Sequence, residues 1–291
     1  MVRTYLTSIF FMLLISIFFN TKGILLANES SIKVAATSFK SSWGDKEANL
    51  ASMERYIHDA ALQGVELILF PEQALTGYDS DGKGNMHTTL AETVPGPSTL
   101  RLAELSAMHN IWIVLGVPEK DASTSIVYNS AAVIRPDGKM LAYKKINTVL
   151  DEPLWAEQGS EHLVFGSPWG PIGIGICMDN YVFPEFVRFS KEHGAKIHLN
   201  PTAFPGAPIM PALNPMLERI YLNILTTWSY VHSIYIVSSN LVSKDRLTDF
   251  MGHSLVLGPD EAGNIKIYAG PAGHNEGLFV ATLNLENADN L

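Results

Sequence analysis

The 291-residue chain contains one cysteine, Cys177, and its surroundings mark it for chemistry. It closes the apolar run Pro171-Ile-Gly-Ile-Gly-Ile176 and is followed at once by Met178-Asp179-Asn180, so the thiol falls where a buried strand meets polar chain. In α/β sheets reactive groups collect at such strand ends. A lone cysteine also serves well as a small core hydrophobe, and that reading stands beside the reactive one. A free thiol ionises near pKa ~8.5, so a nucleophile at neutral pH needs a base or a cation beside it.

Two other strand ends offer those groups. The apolar run 65–70 ends in Pro71-Glu72, which makes Glu72 the candidate base, although a carboxylate in this setting also suits a solvated loop or a cap. A hairpin over residues 128–145 turns at Pro136-Asp-Gly-Lys139, and its second arm closes on Tyr143-Lys144-Lys145. Paired lysines at a strand end commonly form a solvated edge.

These ends need a scaffold. A strand over 32–39 leads to a helix over 46–63, with Leu50, Met53, Ile57 and Ala61 at helical spacing, Asp45 as cap and Gly64 as terminator. A second helix over 98–110 turns Leu102, Leu105 and Met108 inward before a strand over 111–117. Beyond the cysteine, helices are expected over 182–193 and 210–231, with strands over 195–200, 234–239, 254–258, 265–268 and 278–283. The alternation suggests two similar α/β halves about the hairpin. The loop over 73–97 has the length of a lid or pocket wall, with Tyr78 lining the pocket; Asp79-Ser-Asp81-Gly-Lys83 within it fails as a calcium loop because Lys83 and Leu90 occupy ligand positions.

Residues 1–27 read as a signal peptide: Arg3, an apolar run over 5–19, then a small residue, Ala27, before polar chain. Residues 28–291 form a single domain in this reading, and the protein is secreted or periplasmic; the alternative is an uncleaved membrane anchor. Asn28-Glu-Ser30 fits a glycosylation triplet. One cysteine excludes an internal disulfide, and in an exported chain catalysis would explain it. The net charge of −9 and a pI near 5.4, with no basic run, argue against a nucleic-acid partner. Gly-x-Ser-x-Gly, the phosphate-binding Gly-x-x-x-x-Gly-Lys and His-Glu-x-x-His are all missing. His193 and His198 show no ligand spacing and read as surface or loop residues, so no metal or cofactor is expected.

Phe70-Pro-Glu72 with Thr76-Gly-Tyr78, then Tyr143-Lys-Lys145, then Ile176-Cys177-Met-Asp179 with Phe183-Pro-Glu185, in this order and at these separations, resembles the nitrilase (carbon–nitrogen hydrolase) superfamily. The match runs from about Ile32 to about Leu285. It implies a four-layer α-β-β-α sandwich that assembles as a homodimer or larger homo-oligomer. It also implies Cys177 as nucleophile, Glu72 as general base and Lys145 as oxyanion stabiliser, aided by the backbone N–H of Met178. Glu152, seven residues before Gly159, matches the second glutamate of many members. Specificity is expected to rest on Tyr78, Trp155, Tyr181 and Phe204. Two departures are the extra residue between Cys177 and Pro184-Glu185, as in aliphatic amidases, and Asn147 where many members carry histidine.

The implied activity is hydrolysis of a small amide or N-carbamoyl compound through a cysteine thioester, with a nitrilase or an N-acyltransferase as alternatives. Cys177-Met178-Asp179 is similar to amide-cleaving branches, whereas true nitrilases usually have Cys-Trp-Glu. Asp179 is open to a second reading, as cap of the following helix.

Overall fold

The computed structural model describes residues 29–78, 85–206, 210–244, 246–271 and 273–289. Its framework is a pair of six-stranded sheets. The first is built from β1 (Ser31–Ser38), β2 (Leu67–Leu69), β3 (Trp112–Lys120), β4 (Val127–Ile134), β5 (Met140–Lys144) and β14 (Gly277–Asn284), in the order β14-β1-β2-β3-β4-β5. The second takes β6 (Leu163–Ser167), β7 (Gly170–Ile174), β8 (Ile197–Thr202), β9 (Tyr235–Asn240), β12 (Leu255–Pro259) and β13 (Ile265–Ala269), in the order β13-β12-β9-β8-β7-β6. In each sheet three parallel strands, β1-β2-β3 and β7-β8-β9, are flanked by antiparallel ones. A short hairpin, β10 (Val242–Lys244) with β11 (Asp249–Met251), stands apart.

Strand periodicity sets the layers. Leu67 and Leu69 of β2 join Ile172, Ile174 and Leu199 of the facing sheet in one apolar core, while Ile68 and Phe70 point to the opposite side and meet Met53, Ile57 and Leu102. The last three belong to α1 (Lys46–Leu62) and α3 (Pro97–His109), the outer layer over the first sheet. Phe186 and Val187 of α5 (Glu185–Glu192), with Tyr221 and Leu225 of α6 (Asn214–His232), cover the second. The result is the α-β-β-α sandwich. Hydroxyls stitch the two sheets together: Thr37 N–H donates to Ser239 Oγ at 2.9 Å, and Ser239 Oγ–H to the Leu69 carbonyl at 2.7 Å.

Several elements differ from expectation, each for a physical reason. The helix expected over 182–193 starts later, as α5, and a separate short helix, α4 (Met178–Val182), precedes it, because Pro184 drives Phe183 out of helical geometry, to φ −114° and ψ 89°. The long helix begins at Asn214 after a 3₁₀ turn, Pro211–Leu213. The loop over 73–97 carries α2 (Asn85–Leu90). Strand β6 and the β10–β11 hairpin went unread, being short with little alternation. Met108 is 69% exposed rather than inward. His198 is not a surface residue: it is fully buried in β8, where Nδ1 meets Ser190 Oγ at 2.8 Å and Nε2 meets Asn180 Oδ1 at 2.7 Å. His87 is buried as well. The leader and Asn28 lie outside the described residues, as does the segment 79–84 that holds the calcium-like pattern. Among the described residues no helix is long and apolar enough to cross a membrane.

Candidate active site

Glu72 reaches the interior because β2 ends in a turn pressed onto β3. Gly116 N–H donates to the Pro71 carbonyl at 3.0 Å, and a Cβ on Gly116 would stand 2.5 Å from Glu72 Cα, so only glycine allows this approach. Lys145 follows β5, fixed by its N–H to the Asn129 carbonyl at 2.8 Å. Alternation gives Tyr143 and Lys145 one side of the strand. Lys144 takes the other, with Nζ 4.0 Å from the Tyr128 ring centroid and 3.3 Å from Asp121. Cys177 comes three residues after β7, at φ 51° and ψ −106°. This backbone costs on the order of 1–3 kcal/mol in a non-glycine residue. It is held by Cys177 N–H to the Pro201 carbonyl at 3.1 Å and Asn180 N–H to the Cys177 carbonyl at 2.9 Å.

Glu72, Lys145 and Glu152 then form a buried ion cluster. Lys145 Nζ donates to Glu72 Oε1 at 2.8 Å and to Glu152 Oε1 at 2.7 Å. Asn129 Nδ2 spans the same two oxygens at 2.8 and 3.0 Å, and its Oδ1 accepts from Gln73 Nε2 at 2.7 Å. The remaining carboxylate oxygens are satisfied by backbone: Ala203 N–H on Glu72 Oε2 at 2.9 Å and Val149 N–H on Glu152 Oε2 at 3.0 Å. Tyr78 OH donates to Glu152 Oε1 at 2.8 Å.

One ammonium between two carboxylates sets them apart electrostatically. Burial, and the charge of Glu152, raise the Glu72 carboxyl above its ordinary value, against Lys145 and Asn129. Burial pushes Glu152 up too, but Lys145 and the bonds from Lys145, Tyr78 and Val149 outweigh it, so Glu152 is lowered. For Lys145, burial works against the charge and both glutamates overcome it, leaving the ammonium firmly protonated. Burial and the charge of Glu72 raise the Cys177 thiol, opposed by Lys145, Thr202 and the Ala203 N–H. Burial thus favours the neutral form of the Cys177 thiol and sets Glu72 above Glu152, while the two glutamates hold Lys145 charged.

Of the other expected residues, Met178 is the first residue of α4, where backbone N–H groups lack intrahelical acceptors. Tyr181 and Phe204 come together, ring centroids 5.1 Å apart, with Tyr221 beside both. Trp155 does not join them; it packs with Val127 and Ala156, its ring 4.0 Å from that of His87. Asp179 is not a helix cap. Its Oδ2 accepts from Tyr143 OH at 2.7 Å and Ile176 N–H at 3.1 Å, and its Oδ1 from the backbone and side-chain nitrogens of Asn147, both at 3.0 Å.

Residues 33–291 match the family model described as carbon-nitrogen hydrolase. The chain belongs to the carbon-nitrogen hydrolase family. Among the hydrolase's relatives, a probable nitrilase of Schizosaccharomyces pombe is 30% identical over 249 residues, 84% of this chain and 85% of that one. The omega-amidase NIT2 of Homo sapiens is 27% identical over 226 residues, covering 74% and 76%. A solved carbon-nitrogen hydrolase from Helicobacter pylori G27 has the same fold, with TM-score 0.80 at 17% identity over 90% of this chain and 92% of that one. The protein is an enzyme, a carbon–nitrogen hydrolase.

Sequence reading missed two polar partners of this hydrolase's ion cluster, Asn129 and Gln73. Asn129 carried a usable signal, an amide within the strand pattern of residues 127–134 that must find a partner if the strand is buried. Gln73, in an irregular turn at φ 51°, carried none.

Proposed function

We propose that this hydrolase is an exported amidase that cleaves a small amide or N-carbamoyl compound through a thioester on Cys177. The observation that carries the reading is Lys145 Nζ shared between Glu72 and Glu152, with the raised Cys177 thiol within the electrostatic reach of both Glu72 and Lys145. Glu72 takes the thiol proton as sulfur attacks the carbonyl carbon, and the negative charge that develops on oxygen faces Lys145 and the Met178 N–H. Collapse of the tetrahedral adduct breaks the C–N bond, and Glu72 hands its proton to the departing ammonia or amine. Water deprotonated by Glu72 then attacks the thioester, releasing the acid and the thiol. Glu152 stays ionised throughout, keeping Lys145 charged and in place. The aromatic cluster of Tyr181, Phe204 and Tyr221 forms an apolar wall for the acyl portion.

A nitrilase is the second reading, favoured by the 30% identity to the probable nitrilase of Schizosaccharomyces pombe. Ammonia release from a short aliphatic amide and its matched nitrile, at equal enzyme concentration, separates the two. An amide turned over faster supports the amidase; a nitrile faster than every amide tested makes the nitrilase the leading reading.

Export rests on the leader over 1–27, and cleavage after Ala27 is tested by the N-terminal sequence of protein recovered from its host. Self-association into a homodimer or larger assembly agrees with the exposed apolar side chains Val182, Met216 and Ile220, and is tested by sedimentation.

A further inference from the structure

Away from the ion cluster, three ligand-type side chains from distant parts of the sequence converge. Glu218 projects from α6, His253 from the turn before β12 and His274 from the connection between β13 and β14. Glu218 Oε1 lies 3.3 Å from His253 Nε2 and 3.3 Å from His274 Nε2, and the three ligand atoms all fall within 4.8 Å of one another. Among the described residues this is the one such grouping of three.

Two of the three separations, from Glu218 Oε1 to each imidazole nitrogen, match a coordination shell. Ligands about 2.0–2.1 Å from a zinc ion sit roughly 3.3 Å apart along a tetrahedral edge. His253 Nε2 is buried and has no hydrogen-bond partner, so its approach to Glu218 leaves that nitrogen unsatisfied, an unfavourable state for a buried polar atom. The backbone is shaped to bring the two histidines together: His253 takes φ 57°, and its N–H donates to the Gly273 carbonyl at 3.0 Å. Glu218 and His253 also line a cavity of about 410 Å³ with Pro215, Tyr221, Leu255 and Pro271, which leaves room for a further ligand such as water.

We propose that Glu218, His253 and His274 form a binding site for a divalent transition-metal ion of the zinc class. The ion would tie the first turns of α6 to the two loops flanking β12 and β13. The site is structural, separate from Glu72, Lys145 and Cys177, and shares only Tyr221 with the aromatic wall.

The test is calorimetric titration of chelator-treated full chain with zinc chloride, run in the wild type and in a Cys177→Ala background where the thiol cannot compete. One equivalent is expected, with His253→Gln and His274→Gln each weakening binding at least about tenfold, the scale on which even outer-shell changes act. Cobalt(II) gives an independent readout: a visible ligand-field band in the parent protein, lost in both variants. Absence of saturable zinc binding, or equal affinity in the variants, overturns the proposal. So does binding abolished instead by His58→Gln, which would place the metal at the surface pair of His58 Nδ1 and His109 Nε2, 2.9 Å apart.

Discussion

Tyr143 OH donates a 2.7 Å hydrogen bond to Asp179 Oδ2, tying β5, which leads into Lys145, to α4, which directly follows Cys177. Tyr143 lies in the first sheet and Asp179 in α4, which follows β7 of the second, so this buried bond fixes Lys145 relative to Cys177 across the sandwich. Tyr143→Phe keeps the ring and removes only the donor. We expect it to lower stability by about 1–3 kcal/mol, the cost of leaving a buried acceptor unsatisfied, and to slow turnover while KM changes little. Urea unfolding with steady-state kinetics measures both; a variant equal to wild type in both would show the bond to be incidental.

Adjacent lysines should differ sharply. Lys145 is buried between two glutamates, whereas Lys144 is half-exposed over Tyr128. Lys145→Met should lose roughly a hundredfold or more in kcat through the missing oxyanion partner. It also leaves two buried carboxylates without their cation, a loss on the order of 3–5 kcal/mol in stability. Lys144→Met should stay within a few-fold of wild type. Kinetics alongside thermal melts checks the pair, and similar losses in both would remove Lys145 from its role.

The acid limb of thiol reactivity reports Glu72. Because burial and Glu152 raise this carboxyl, the alkylation rate of Cys177 by iodoacetamide should climb with pH through a midpoint above the ordinary glutamate value, ~4.3. Removing the Glu152 charge deletes a raising influence and leaves Lys145 to Glu72 alone, so Glu152→Gln should move the midpoint down. In Glu72→Gln the limb should vanish and the rate fall roughly a hundredfold or more. A midpoint unmoved by Glu152→Gln would contradict the coupling.

The same carboxyls act on stability with opposite signs. Glu72, raised in the fold, favours the native state at pH below the unfolded value, and that contribution is lost as pH rises through the raised one. Glu152, lowered in the fold, contributes above the unfolded value and loses it as pH falls through its depressed one. Against wild type, Glu152→Gln should therefore lose less stability on acidification below pH ~4, measured by urea unfolding at successive pH values. An unchanged acid dependence would count against this.

Much of this was legible in the chain because apolar runs end abruptly at chemical residues. The runs before Glu72 and Cys177 located both strand ends to within a few residues, and Lys145 was found at the end of a hairpin with an explicit turn. The convergence of those ends depends on the pairing of two sheets, which local pattern does not encode; the resemblance supplied it. The two readings of Asp179 could not be separated in the sequence, since its partners, Tyr143 and Asn147, lie more than thirty residues away. His198 looked like a loop residue because nothing near it in sequence announces Ser190 and Asn180 as its partners. Glu218, His253 and His274 show the same limit: no ligand spacing exists until the fold creates it.

The central claim is that Cys177 carries the acyl group. Intact-mass spectrometry of acid-quenched enzyme during turnover of a short aliphatic amide, with peptide mapping, tests it directly. An acyl adduct is expected on Cys177 in the wild type, and in Cys177→Ala neither adduct nor turnover with an unchanged thermal melt. Wild-type turnover by the folded Cys177→Ala protein would contradict it.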